Sequence, residues 1–305
     1  MDVRAGALAL CLLIVSPLAS SSGAQAQSLG KNSRPLQVVV AENFWGSIAK
    51  QEAGSRAHVT SIIVNPNADP HAYEPKTSDA RLIADAQYVI LNGVGYDPWG
   101  PKLLSANPVK GRRVLIVGDF IGKKEGDNPH VWYSPSYVAR VAARITADYK
   151  SLDPRDAAYF DRQHANFMNV ALKPYYQEIS LISSKYHGVP VGATESIFQY
   201  LAQALRLNLI TPYGFMKAIS EGTEPTAQDK VTFDRQVTSK QIKVFVFNSQ
   251  NSTPDVNALL SKAKQERIPI VPITETLQPA TASFQAWQSA QLRALQAVLH
   301  KATGK

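Results

Sequence analysis

Apolar residues along this chain fall into short unbroken runs, separated by stretches in which they recur every three or four positions. Leu36–Ala41 ("LQVVVA"), His58–Val64 ("HVTSIIV"), Tyr88–Asn92 ("YVILN") and Arg113–Val117 ("RVLIV") read as buried strands. Between them, Asn43 is placed to cap a helix carrying Phe44, Ile48 and Ala49 on one side, and Ser78 to start one carrying Ala80, Leu82 and Ile83. Strands alternating with helices predict βαβ units and a parallel sheet. The middle of the chain differs. From Pro154 to about Lys185 there is no strand pattern and no glycine, while Tyr159, Phe160, His164, Phe167, Val170, Ala171 and Tyr175 recur at helical spacings. This predicts one helix, about 45 Å long at about 1.5 Å per residue. Pro174 should bend or interrupt it, because proline removes a helical hydrogen bond. Past Gly188 the alternation resumes, with strands at "VPVGA", Lys243–Asn248 and Ile268–Ile273 and helices at Ile197–Ala204, Thr226–Ser239, Pro254–Gln265 and Phe284–His300. The pattern predicts an α/β protein of two similar lobes with mainly parallel sheets, joined by one long helix. The lobes are expected over 27–152 and 188–305, with the connector over 153–187.

The first residues do not fit that scheme. A basic Arg4, an apolar run from Ala5 to Leu18 and an Ala24-Gln25-Ala26 site have the form of a secretory signal peptide, expected to be cut after Ala26. The run is shorter than the ~20 residues a spanning helix needs. Cys11, the only cysteine, is expected to leave with the signal, so no disulfide or thiolate ligand is expected in the mature chain. At 305 residues and 45% apolar composition, enough chain remains for about two domains. The net charge of +8 is scattered, with only short pairs such as Arg112-Arg113 and Lys123-Lys124. It reads as a solvated surface of an exported protein, with no nucleic-acid partner expected.

Two segments carry candidate chemistry. "DPHAYEP" and "DNPHVW" each present a histidine directly after a proline, at His71 and His130. Each follows a predicted strand of the first lobe, where open parallel sheets place their ligands. The preceding proline restricts the backbone and so limits where each ring can point. His58, His164, His187 and His300 read as ordinary strand, helix or surface residues. In the second half, "GATES" places Glu195, and "PITET" places Glu275, just past a strand. A carboxylate at a helix start is also ordinary dipole chemistry. Together, two neutral imidazoles and two carboxylates would balance the charge of a divalent ion.

These segments resemble the zinc/manganese family of metal solute-binding proteins of bacterial ABC transporters. "NPNADPHAYEPKTSDARLIADAQYVILNGVGYDPW" is similar to the family's first metal-site segment and "DNPHVWYSP" to its second. "ATESIFQYLAQAL" looks like the third, and "VPITETL" sits where the family places its last carboxylate. The resemblance spans essentially the whole mature chain. It implies His71, His130, Glu195 and Glu275 as metal ligands in the cleft between the lobes. Many members have aspartate at the fourth position, which leaves Glu221, Glu224 and Asp255 as alternatives to Glu275. The histidine-rich loop of many zinc-binding members is absent here, since "IGKKEGDNPH" has no histidine before His130.

The resemblance implies an exported, periplasmic or extracellular, monomeric protein that is not an enzyme. It would hand one divalent metal ion, zinc before manganese, to a membrane permease, which would be its only link to the membrane. The alternatives are a secreted zinc hydrolase and a metal-binding surface adhesin. "NGVG" after the third strand lacks the further residues of a phosphate loop and reads as a tight turn. No H-E-x-x-H or G-x-S-x-G is present.

Overall fold

The computed structural model describes residues 1–2, 34–67, 70–251 and 253–305. The expected signal peptide and Cys11 lie outside the described residues, as does Asp69 of the first histidine segment. Pro35–Lys305 forms one unit by backbone contacts.

In chain order the elements are β1 (Leu36–Glu42), α1 (Asn43–Ala53), β2 (Ala57–Ile63), α2 (Thr77–Asp85), β3 (Tyr88–Leu91), α3 (Trp99–Ala106), β4 (Arg113–Ile116), α4 (Val117–Ile121) and α5 (Pro135–Leu152). Then come α6 (Ala157–Asn166), α7 (Lys173–Lys185), β5 (Pro190–Ala193), α8 (Gln199–Ala204), β6 (Asn208–Leu209) and α9 (Tyr213–Ser220). The chain ends with α10 (Ala227–Thr238), β7 (Val244–Asn248), α11 (Pro254–Gln265), β8 (Ile270–Ile273) and α12 (Phe284–Thr303). The strands form two four-stranded sheets, ordered β2-β1-β3-β4 and β6-β5-β7-β8, and every pairing is parallel. Numbered within each lobe, both orders are second-first-third-fourth, so the two halves share one topology despite sharing no sequence repeat.

Several local expectations are revised. Asn43 does not cap α1, because β1 runs into the helix without a loop and Glu42 takes the cap position. Asn43 is instead the first helical residue, and its Oδ1 accepts a hydrogen bond from Leu277 N across the lobes, 3.2 Å away. α2 starts at Thr77, one residue earlier than expected. The helix α5 was not anticipated, although Ser134 caps it, Pro135 opens it, and Val138, Val141, Ala142, Ile145 and Tyr149 make one buried face. α3, β6 and α9 were also missed.

The connector is not one uniform helix. α6 and α7 are joined through a π-helical turn at Phe167–Ala171, where Leu172 N bonds to Phe167 O at 2.9 Å. The interruption falls ahead of Pro174 for a steric reason. Proline has no N–H to offer the carbonyl four residues back, that of Val170, and its ring crowds that carbonyl. Widening the preceding turn relieves the crowding.

The main core does not stop at either lobe. It runs from Trp45, Trp132 and Tyr133 through Tyr175 of α7 to Ile197, Phe284 and Trp287, all buried in one apolar cluster. Phe44 stacks on Trp132 at 3.9 Å between ring centroids, and Tyr149 stacks on Phe160 at 5.3 Å. Hydrogen bonds add to the packing between lobes: Tyr133 OH donates to Thr274 O at 2.7 Å, and Phe284 N to Ser47 Oγ at 2.8 Å. No helix among the described residues is long and apolar enough to cross a membrane.

Phe160 is fully buried and ties α6 to α5. Phe160→Ala should therefore lower unfolding stability by about 3–5 kcal/mol, the usual cost of emptying such a site. Urea unfolding should show a lower midpoint at an unchanged slope. A loss below about 1 kcal/mol would mean that this contact does not hold the connector to the first lobe.

Candidate metal centre

The carboxyl ends of both sheets converge between the lobes. His71 lies in a short 3-10 turn, Pro70–Ala72, after β2, and His130 precedes another, Val131–Tyr133, after β4. Glu195 follows β5 and precedes the turn Ser196–Phe198, and Glu275 follows β8. The proline-histidine pattern thus has a physical use, since each ring leaves the chain at a tight turn whose entry is already constrained.

The structure brings three of the four sequence candidates together. One donor atom from each of His71, His130 and Glu275 lies within 4.8 Å of the other two. His71 Nε2 and His130 Nε2 are 3.4 Å apart, and Glu275 Oε2 is 3.5 Å and 3.9 Å from them respectively. Glu195 is not in that group. It is fully buried, and its Oε2 accepts from Asn248 Nδ2 at 3.2 Å. The alternative acids are engaged elsewhere. Glu224 and Asp255 both pair with Lys230, and Glu221 with Lys217.

The imidazole of His130 is held in one tautomer. Its Nδ1 lies 2.8 Å from Asn128 Oδ1, while Asn128 Nδ2 donates to Ser196 O at 2.6 Å and to Gln199 Oε1 at 3.0 Å. With its NH2 engaged there, the amide presents oxygen to the ring. His130 Nδ1 therefore carries the proton, and the Nε2 lone pair faces the cluster. Burial, and then the neighbouring His71, hold the His130 pKa well below the usual histidine value. The ring is neutral, as a ligand must be.

Glu275 is fixed at both oxygens. Tyr96 OH donates to Oε2 at 2.6 Å from the first lobe, and Asn248 Nδ2 to Oε1 at 2.6 Å from the second. Gln250 Oε1 accepts from both Glu275 N and Thr276 N and fixes the backbone there. Sequence reasoning missed Asn128, Tyr96 and Asn248. The polar segment starting at Asn248 follows a strand, a position from which a side chain can face the cleft, and "DNPH" displays Asn128 two residues before its histidine.

Behind Tyr96 lies a second pair of acids. Glu42, at the end of β1, and Asp97 are both buried. Asp97 accepts from Asn92 N at 2.6 Å and Gly93 N at 2.8 Å. This closes the "NGVG" turn, in which Gly93, Val94 and Gly95 all have positive φ, at 74°, 58° and 74°. The Asn92 and Gly93 amides are already engaged by Asp97, which agrees with a tight turn and not a phosphate loop. Burial, and then the charge of Asp97, push the Glu42 pKa well above the usual carboxylate value.

A cavity of about 610 Å³ opens onto His71, lined by Glu125 and Asp127 from the first lobe and by Lys217 and Glu221 from the second. His71 keeps 22% of its side-chain exposure whereas His130 and Glu275 keep none, so access to the cluster is from the His71 side. Lys217 Nζ reaches Gly126 O across the mouth at 3.2 Å.

Two parallel-sheet lobes with donors gathered at their facing strand ends define a bilobal binding protein. The fold matches the crystal structure of ZnuA with a TM-score of 0.68 and 22% identity, covering 88% of this chain and 99% of that one. It also matches the Pseudomonas aeruginosa protein FpvC in complex with Mn2+, at a TM-score of 0.70 and 17% identity over 88% and 99% of the two chains. A family model described as "Zinc-uptake complex component A periplasmic" matches residues 38–298, and the chain belongs to that family. Its members are substrate-binding components of metal ABC transporters and not enzymes. Among curated relatives, the metal ABC transporter substrate-binding lipoprotein SsaB of Streptococcus sanguinis is 24% identical over 290 residues, 88% of each chain. The manganese-binding lipoprotein MntA of Halalkalibacterium halodurans is 27% identical over 152 residues, 49% of this chain and 50% of that one. The zinc-binding lipoprotein AdcA of Streptococcus pneumoniae is 25% identical over 240 residues, 70% of this chain and 45% of that one.

The Glu42 carboxyl provides a pH test. A carboxyl whose folded pKa lies above the unfolded value, here 4.5, stabilises the fold most below that value. Its contribution is lost as pH rises through the folded pKa. Glu42→Gln should therefore flatten the decline of thermal stability between pH 5 and 7.5 and match or exceed the parent at pH 7.5. An unchanged slope in differential scanning calorimetry would show that Glu42 ionises in the folded protein as readily as in the unfolded one.

Proposed function

We propose that this chain captures one divalent transition-metal ion between His71, His130, Glu275 and Glu195 and delivers it to the permease of an ABC transporter. The observation that carries this reading is the convergence of His71 Nε2, His130 Nε2 and Glu275 Oε2 from opposite lobes within 4.8 Å. Glu195 is the fourth donor. Asn248 ties it to Glu275, and its neighbour Ser196 places Oγ 3.4 Å from His130 Nδ1. Zinc is the first choice of cargo and manganese the second. Two imidazoles and two carboxylates suit a zinc tetrahedron, and the names of relatives include both metals.

On this reading residues 1–26 direct export, 27–152 and 188–305 form the two lobes, and 153–187 connect them. The protein works outside the cytoplasm as a monomer and meets the membrane through the permease. Because donors come from both lobes, the ion stabilises their closed arrangement and raises apparent stability by mass action.

Metal-stripped protein should take up one zinc or manganese ion per chain by calorimetric titration. Glu275→Ala and Glu195→Ala should each loosen it by more than the about 10–100-fold that outer-shell changes cost. Binding of neither metal tighter than about micromolar would sink the transporter reading. Normal binding by Glu195→Ala alone would leave the site standing with a different fourth donor.

Protons compete with the metal for an imidazole ligand, so affinity should fall as pH drops, by at most about one decade per pH unit, because the His130 ring stays neutral where an ordinary histidine titrates. Zinc titrations at pH 7.5 and 5 read this directly. Equal affinity at the two values would mean that the histidines are not ligands.

A further inference from the structure

We infer that Asn248 sets how many donors the bound ion receives, and through that number favours zinc over manganese. This inference rests on the metal-capture reading above and adds a residue that selects the cargo.

The sheet order puts Asn248 where it can act on both acids at once. β7 lies between β5 and β8, and these neighbours end just before Glu195 and Glu275. Asn248 is the last residue of β7, paired in register with Ile273, and is fully buried. Its amide has one orientation, because Oδ1 accepts from Gln250 N at 3.0 Å. The NH2 group therefore faces the acids, and its two hydrogens match its two acceptors, Glu275 Oε1 at 2.6 Å and Glu195 Oε2 at 3.2 Å.

The consequence follows from which oxygen faces which way. On Glu275, Oε2 is the oxygen near His71 and His130, while Oε1 is held on the Asn248 side. A carboxylate that chelates one ion must turn both oxygens toward it. The short bond to Asn248 opposes that rotation, and Tyr96 on Oε2 opposes it from the other lobe. Each glutamate then contributes one oxygen, and with two imidazoles the ion receives four donors. Four is the number tetrahedral zinc takes. Manganese favours an octahedral, oxygen-rich shell; these side chains alone would give five donors with one carboxylate bidentate and six only with both. Asn248 also donates to two buried carboxylates without adding charge. It can therefore order them before any cation arrives, which a lysine could do only by acting as a rival cation.

The test compares metal-stripped parent protein with Asn248→Ala, titrated with Zn2+ alone and Mn2+ alone, and reads donor number by X-ray absorption. The parent should show four nitrogen and oxygen donors around zinc. In Asn248→Ala the zinc-to-manganese affinity ratio should drop at least tenfold, with five or six donors around manganese. An unchanged ratio in a variant that binds both ions would overturn the inference while leaving metal capture intact. So would five or six donors around zinc in the parent, a result that stands even where Asn248→Ala fails to fold. Failure of the parent to bind either ion would overturn the metal-capture reading, and this inference with it.

Discussion

The site depends on an apolar spine that belongs to neither lobe alone. Trp45, Trp132, Tyr175, Phe284 and Trp287 pack into one cluster that crosses from the first sheet through the connector to the last helix. Close-packed interiors do not deform smoothly. The two sets of strand ends are therefore held facing one another by the same packing that stabilises each lobe. Without that spine, His71 and His130 would be two loop histidines facing open solvent, and Glu275 a carboxylate on a separate domain.

The geometry sets a hard electrostatic problem that neutral groups solve. Glu42, Asp97, Glu195 and Glu275 are all buried around the junction. An uncompensated buried carboxylate is expensive, and the usual remedies are a proton, a cation or several hydrogen bonds. The proton and the hydrogen bonds are both used here. Burial and Asp97 favour a proton on Glu42. Backbone amides hold Asp97, and a phenol and an amide hold Glu275.

Much of this was legible in the sequence, and the failures have causes. Strands buried on both faces announce themselves as unbroken apolar runs, so the strands of the first lobe were placed within a residue. The two proline-histidine segments stood out because a constraint and a ligand type recurred together. By contrast, α5 was missed although Ser134-Pro135 marks its start. Its apolar positions follow directly on a histidine segment that drew the reading toward loop. The π turn was displaced from Pro174 because proline acts on the carbonyl four residues earlier. Asn128, Asn248 and Tyr96 were harder for a different reason. An amide or phenol in a loop has many ordinary uses, and only the strand order that puts β7 between β5 and β8 reveals which acids Asn248 touches.

On the proposed reading the donors are divided by chemistry as well as by lobe, with imidazole nitrogens from the first and carboxylates from the second. An ion that lands on the imidazoles then meets neutral ligands first and counter-charge second. At an effective dielectric constant of 20, unit charges about 4 Å apart attract by about 4 kcal/mol, and a doubly charged ion facing two carboxylates multiplies that pull. A monovalent ion would leave one carboxylate uncompensated in a dry junction. On that reading the cleft discriminates by valence, because a divalent ion balances both carboxylates and a monovalent ion only one.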